Sequence, residues 1–287
     1  MADNSNTPPE SLTALAKDDR WNVRIFVAGN PATPPDALLA LGKEKSTYMR
    51  WHVAENPNTP RRVLAELARD KNAEMRWGVA GNSAAPRKVL VAMASDESAT
   101  VRESVANNPN TPAGVLAVLA RDGNAKVRGA TEHWLSSGVA GNSATPPKIL
   151  AALAKDESVA VRWGVAMNPL TPQKVLAALA KDDSWHVRVS VAWNANTPPR
   201  ILAVLAKDVR SRVRSCAASN SNTPPDALAA LTRERNPDLR KRVAKNSNTP
   251  LETLKKLSMK DRNWVVRRLA KKNIASRETL AEKPEGA

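Results

Sequence analysis

One cysteine, Cys216, stands in a chain of 287 residues, beside three histidines, one phenylalanine and one tyrosine. A lone thiol excludes an internal disulfide framework and any cluster that needs several cysteine ligands. No apolar run approaches the ~20 residues of a membrane-spanning helix. The opening Met-Ala-Asp-Asn-Ser is polar and unlike a signal peptide. A cytoplasmic location without a membrane partner is therefore expected. There is no glycine-rich phosphate loop, no HExxH and no Gly-x-Ser-x-Gly. The histidines are too irregularly placed for a metal or catalytic site. The expectation is a protein without catalytic residues, metal or cofactor.

What the chain has is one phrase, written ten times. Asn-x-x-Thr-Pro recurs from Asn4, Asn30, Asn56, Asn82, Asn108, Asn142, Asn168, Asn194, Asn220 and Asn246, with Ala85 alone replacing the threonine. The interval is 26 residues, except for 34 between Asn108 and Asn142. A fixed period of this length marks a solenoid, in which a small unit buries its apolar face only by stacking on copies of itself.

Numbering the unit 1 to 26 from the asparagine, Thr at 4 and Pro at 5 read as a helix start, with the hydroxyl as cap. Apolar positions 8, 9, 12 and 13, as in Val63, Leu64, Leu67 and Ala68, give helix A a buried face. The acid at 15 is placed to cap helix B, whose apolar stripe is formed by positions 20 and 24, as in Val101 and Val105. Neither helix is long enough to stand alone in water. The expected fold is all-α: a right-handed α-solenoid of about ten two-helix repeats, forming a single elongated domain over 1–287. An insertion lies at 130–137 in repeat five and a C-terminal cap or tail at 273–287. A monomer is expected.

The stretch 150–172 reads Leu-Ala-Ala-Leu-Ala-Lys-Asp, then Val-Arg-x-x-Val-Ala-x-Asn and Thr-Pro. This pattern resembles the leucine-rich repeat variant family, over about residues 4–272. The resemblance implies short α- and 3₁₀-type helices alternating in two layers of a right-handed superhelix, similar to HEAT and armadillo solenoids. That family's first described member carries a cysteine-ligated iron–sulfur module, which Cys216 alone cannot reproduce. The resemblance therefore brings a fold and almost no function.

The net charge is +16, which points to an acidic partner: nucleic acid, DNA or RNA, or else an acidic or other protein. Residues 207–287 hold 20 basic and 9 acidic residues. Lys241, Arg242, Lys245, Arg268, Lys271 and Lys272 in that stretch are the candidate phosphate contacts. Every repeat also has an arginine with an acid six residues earlier, at unit position 21 in nine repeats and, as Arg267, at 22 in the tenth. Such regularity suits a structural ladder better than a ligand site; Asp96 with Arg102 and Asp156 with Arg162 represent it, the guanidinium reaching the acid of its own or the adjoining repeat. The ladder is neutral, so the surplus charge lies elsewhere. A cation at position 14 in eight repeats, from Lys17 to Arg233, and at the next position in the tenth, as Lys260, suits the C-terminus of helix A.

Eight tryptophans reverse the usual aromatic usage. Trp21 and Trp185 fall at unit position 18, with Trp264 in the equivalent place one residue later in repeat ten; Trp51, Trp77 and Trp163 fall at 22, and Trp193 at 26. Positions four apart share a stripe of helix B, here opposite the valines. Trp134 falls in the insertion. Tryptophans among cations suit base stacking; as half-buried spacers between helices they would serve packing alone. The reading is a non-enzymatic nucleic-acid-binding solenoid, with a protein- or peptide-binding scaffold as the alternative and a HEAT-like DNA glycosylase as a minor one.

Overall fold

The computed structural model describes Asn4, residues 6–129 and residues 137–281. These contain 21 helices and no strand. They divide into two compact units, Met1–Leu153 and Ala154–Ala287.

In the first unit, helices of type A are α1 (Pro9–Leu15), α3 (Pro35–Leu41), α5 (Arg61–Leu67), α7 (Arg87–Met93), α9 (Ala113–Leu119) and α12 (Pro147–Leu153). They alternate with type B helices α2 (Trp21–Gly29), α4 (Thr47–Glu55), α6 (Ala73–Gly81) and α8 (Ala99–Asn107), followed by the two pieces α10 (Ala125–Arg128) and α11 (Gly138–Gly141). The second unit has A helices α14 (Gln173–Leu179), α16 (Pro199–Leu205), α18 (Pro225–Leu231) and α20 (Leu251–Lys260). Its B helices are α13 (Val159–Met167), α15 (Trp185–Trp193), α17 (Ser211–Ser219), α19 (Pro237–Lys245) and α21 (Trp264–Ala281). Within each unit successive B helices pack side by side, with the A helices as a second layer.

Leucine at unit position 9 and valine at 24 meet between the layers: Leu64, Leu90, Leu116, Val53, Val79 and Val105 are all fully buried. Each contributes about 1.5–3 kcal/mol through burial. Helix A begins after proline at position 5, with no side-chain cap. The threonine hydroxyl instead donates backwards, from Thr33 to the Val27 carbonyl and from Thr111 to that of Val105, at 2.5 and 2.6 Å. It closes the end of the preceding helix B, whose last carbonyls lack helical partners. The expected threonine cap is thus corrected. So is the aspartate cap: Asp96 Oδ1 accepts from Ser98 N–H at 2.9 Å and shapes the turn. Helix B is capped from position 17, where Ser46, Asn72 and Asn124 accept backbone N–H groups.

The repeating asparagine is buried at each junction. Asn82 Nδ2 donates to the carbonyls of Ala54 and Asn56 at 2.7 and 2.8 Å, and its Oδ1 accepts from Ala84 N–H at 2.8 Å. Asn56, Asn108, Asn142, Asn194, Asn220 and Asn246 make the same three bonds. One amide hydrogen goes to the first residue of the preceding repeat and the other to the end of the helix B before it, and the carbonyl holds the turn of its own repeat. Asn273 extends this series one period further, to Ala244 and Asn246 at 2.9 and 3.0 Å. It does so from within α21, which runs on through the position where earlier B helices stop. Arg277 Nε donates to Asn273 Oδ1 at 3.0 Å and closes the end of the stack.

The arginine ladder runs between repeats. Arg76 Nε and Nη2 donate to the two Asp96 oxygens at 2.7 and 2.9 Å, while Nη1 donates to the carbonyls of Asp70 and Lys71 at 2.9 and 3.1 Å. Arg102 pairs in the same way with Asp122, Arg162 with Asp182 and Arg188 with Asp208. Pairing of Arg102 with Asp96 is therefore corrected: each of these four arginines meets its own repeat's acid only through the main-chain carbonyl and gives its fork to the next repeat's carboxylate. Burial alone would raise the Asp122 carboxyl, but the hydrogen bonds from Arg102 and from Asn124 N–H outweigh it and hold the group below the usual carboxylate range.

Repeat five interrupts its B helix. Gly129 and Gly138 both have positive φ, 133° and 58°. A Cβ on Gly138 would lie 2.5 Å from the Val127 carbonyl oxygen, so only glycine fits where the chain returns. The expected insertion, with His133 and Trp134, falls largely outside the described residues.

Three stability measurements follow from these contacts. Asn108→Ala leaves the Ala80 carbonyl and the Asn110 N–H without partners, takes one of two donors from the Asn82 carbonyl, and should cost roughly 2–5 kcal/mol in denaturant unfolding; a loss below ~1 kcal/mol would show that the amide is dispensable. Ala85→Thr restores the hydroxyl missing from one repeat and should raise stability by about 0.5–1.5 kcal/mol. Arg102→Ala strips Asp122 of its fork and should cost about 3–5 kcal/mol at neutral pH. Because the Asp122 carboxyl is held below its unfolded value, that contribution is complete above about pH 4 and fades as the pH falls through the folded value. The gap between the variant and the parent should narrow on acidification, and a gap constant down to about pH 2 would contradict the pairing.

Candidate recognition surfaces on the second helices

Helix B assigns its positions by angle, at about 100° per residue. Positions 20, 24 and 25 point to the core and 21 carries the ladder arginine. Position 23 faces the preceding B helix and is small where packing is closest: Gly78, Ser104, Gly164, Ser190 and Cys216 are buried there. Ser104 Oγ donates to the Trp77 carbonyl at 3.1 Å. Positions 18, 19, 22 and 26 are left facing outwards.

The tryptophans occupy those outward positions. Trp21, Trp77, Trp193 and Trp264 are 62%, 42%, 53% and 62% exposed, values that rule out a core role. Trp51, Trp163 and Trp185 are half-buried, and Trp134 lies outside the described residues. Trp51 lies across the neighbouring helix, its Cδ1 3.8 Å from where a Gly78 Cβ would be. Half-burial of this kind serves packing and exposure together.

The outward face differs in character between α2 to α8 of the first unit and α17 to α21 of the second. On α2, α4, α6 and α8 it carries Glu55, Glu74 and Glu103, with no lysine or arginine beyond the ladder. This departs from the expectation of tryptophans set among cations. Here Tyr48, Trp51 and His52 cluster on α4, with Tyr48 and Trp51 ring centroids 6.1 Å apart and nearly parallel. His52 Nε2 is buried without a hydrogen-bond partner, and burial lowers its pKa. Burial likewise raises the Glu55 carboxyl. A cleft of about 560 Å³ lies between α4 and α6, lined by Tyr48, Trp51, Glu74, Met75 and Trp77 among others.

On α17, α19 and α21 of the second unit the face turns basic. Arg212 on α17 and Lys241, Arg242 and Lys245 on α19 line one cleft of about 730 Å³ together with Ser211, Ser215 and Ser219. The one carboxylate on these two helices is Asp238, which Lys241 engages at 2.9 Å, lowering the Asp238 pKa. Arg242 Nη1 donates to Ser219 Oγ at 2.8 Å. Arg268, Lys271 and Lys272 are exposed on α21, outside that cleft. Thus the structure gathers three of the six candidate phosphate contacts and adds Arg212. Its place beside the tryptophan stripe, at unit position 19, is the signal that could have revealed it. Cys216 is buried at the base of α17, and burial raises its thiol pKa, which makes it a poor nucleophile. Among the described residues no group of three or more His, Cys, Asp or Glu is placed to hold a metal. No helix among them is long and apolar enough to cross a membrane.

The fold and surfaces define an α-solenoid scaffold. The family model described as leucine rich repeat variant matches residues 21–42 and 99–124. Those segments span α2 with α3 and α8 with α9, and the other repeats keep the Asn, Leu, acid and Arg pattern, with the insertion in repeat five and one extra residue in repeat ten. The two matched segments are leucine rich repeat variant repeats. Among solved structures, a leucine-rich repeat variant with a novel repetitive motif is similar at 24% identity, over 82% of this chain and 80% of that one, with a TM-score of 0.46. An engineered protein is similar at 16% identity over 96% and 93%, with a TM-score of 0.36. A chain from a structure in which Kap95p binding induces the switch loops of RanGDP to adopt the GTP-bound conformation is similar at 10% identity, over 95% of this chain and 53% of that one, with a TM-score of 0.46. No curated protein matches the chain.

Proposed function

We propose that this solenoid is a non-enzymatic binding scaffold whose second unit takes single-stranded nucleic acid on the outward face of α17, α19 and α21. The observation that carries the reading is the convergence of Arg212, Lys241, Arg242 and Lys245 on one cleft, with exposed Trp193 and Trp264 on the flanking helices α15 and α21. Cations that track a phosphate backbone beside rings that stack on bases are what sequence-tolerant strand binding needs. The serines of α17 add neutral hydrogen-bonding groups along the same cleft. The ladder arginines take no part, because their guanidinium donors are spent on carboxylates and carbonyls. The same pairing argues against a glycosylase, since it leaves no ladder aspartate distinguished for catalysis.

Binding of a fluorescent oligothymidylate should weaken linearly on a log–log plot against salt. Replacing Arg212, Lys241, Arg242 and Lys245 by alanine should flatten the slope by about 0.7 for each phosphate no longer neutralised. Trp193→Ala and Trp264→Ala should each cost roughly 1–3 kcal/mol of binding. An unchanged slope in the four-site variant, or equal affinity for polyglutamate, would instead make the partner an acidic protein.

A further inference from the structure

The first unit presents a second surface whose chemistry excludes the ligand just described. Its outward face has aromatic rings and carboxylates and lacks free cations on α2, α4, α6 and α8, so a phosphate backbone would be repelled there. We propose that the cleft between α4 and α6, walled by Tyr48, Trp51 and Trp77 and edged by Glu74, is a docking pocket for a lysine or arginine side chain of an extended protein segment.

Four observations converge on this assignment. The cleft has two aromatic walls from different helices, Tyr48 with Trp51 on α4 and Trp77 on α6, with Met75 below. Tyr48 and Trp77 are 54% and 42% exposed, so their rings are available to a partner. Ring faces attract a cation placed within about 6 Å of the centroid, tryptophan most strongly, and arginine also stacks on them as a plane. Glu74 is exposed at the rim, where its carboxylate faces solvent while its backbone N–H is held by Asn72 Oδ1. A carboxylate beside aromatic walls selects a cation over a neutral apolar side chain, because it compensates the charge that the pocket partly desolvates. At about 560 Å³ the cleft has the size of a side-chain pocket with room for flanking residues. Apolar stem and charged head of a long basic side chain match a cleft that is apolar at its base and acidic at its edge.

The test uses the full chain and tryptophan fluorescence. The probe is the capped peptide Gly-Leu-Arg-Leu-Gly, compared with the same peptide carrying lysine, norleucine or glutamate at the centre. Saturable quenching by the arginine or lysine peptide, with weaker binding of the norleucine peptide and none of the glutamate peptide, is the expected result. Trp77→Ala and Glu74→Gln should each weaken the basic peptide about threefold to thirtyfold. Glu74→Gln is the variant least able to disturb folding, and both variants should keep the parent's helicity by circular dichroism. Oligothymidylate should not displace the peptide, which also separates this pocket from the basic cleft of the second unit. Equal affinity for the norleucine and arginine peptides, undiminished affinity in both variants, or displacement by the oligonucleotide would overturn the assignment.

Discussion

At each described repeat junction inside a unit a buried carboxamide holds the stack together. Its two hydrogens tie the carbonyls that end the preceding turn and helix, and its oxygen sets the turn that begins the next one. Helices of seven and nine residues have no independent stability, so their packing depends on a junction that fixes both spacing and direction. No other side chain of this size offers two donors and an acceptor in that geometry at no charge. Aspartate would set lone pairs against the two carbonyls, and leucine would leave the helix-end carbonyl unpaired in a dry place. The apolar layer supplies most of the stabilising free energy, but the asparagine decides how one repeat meets the next.

The arginine ladder adds a second tie and settles the electrostatics of the scaffold. It consumes nearly equal charge of both signs on the edge of the B layer, which leaves the outward faces of the B helices to vary. That variation is where recognition can reside. In one unit the face combines rings with carboxylates around Tyr48, Trp51 and Trp77. In the other it combines rings with cations around Arg212 and Lys241. Two faces of opposite character on one kind of repeat suit a scaffold that holds two chemically different partners.

Much of this is legible in the residues. The period, the A and B helices, the buried stripe and the outward tryptophans follow from spacing alone, since helical geometry turns a recurring interval into a face. The caps are not, because Thr33 and Asp96 have the residue types and offsets of helix starts but find nearer partners in the preceding helix and the local turn. The ladder's partners are legible only as a set. Spacing relates Arg102 equally to an acid six residues back and to one twenty residues on, and only the rise between stacked repeats decides for Asp122.

What the sequence by itself determined is the architecture: a 26-residue unit with a recurring asparagine, a leucine and a valine at set places has one way to bury them, by stacking. It also determined that the tryptophans lie opposite the valines. Only the tertiary structure decided what surrounds them. Glu74 and Trp51 line one cleft, and Arg212 and Lys241 another, from neighbouring helices a repeat apart along the chain. Recognition chemistry depends on distances between residues in different repeats, and these are set by packing rather than by position along the sequence.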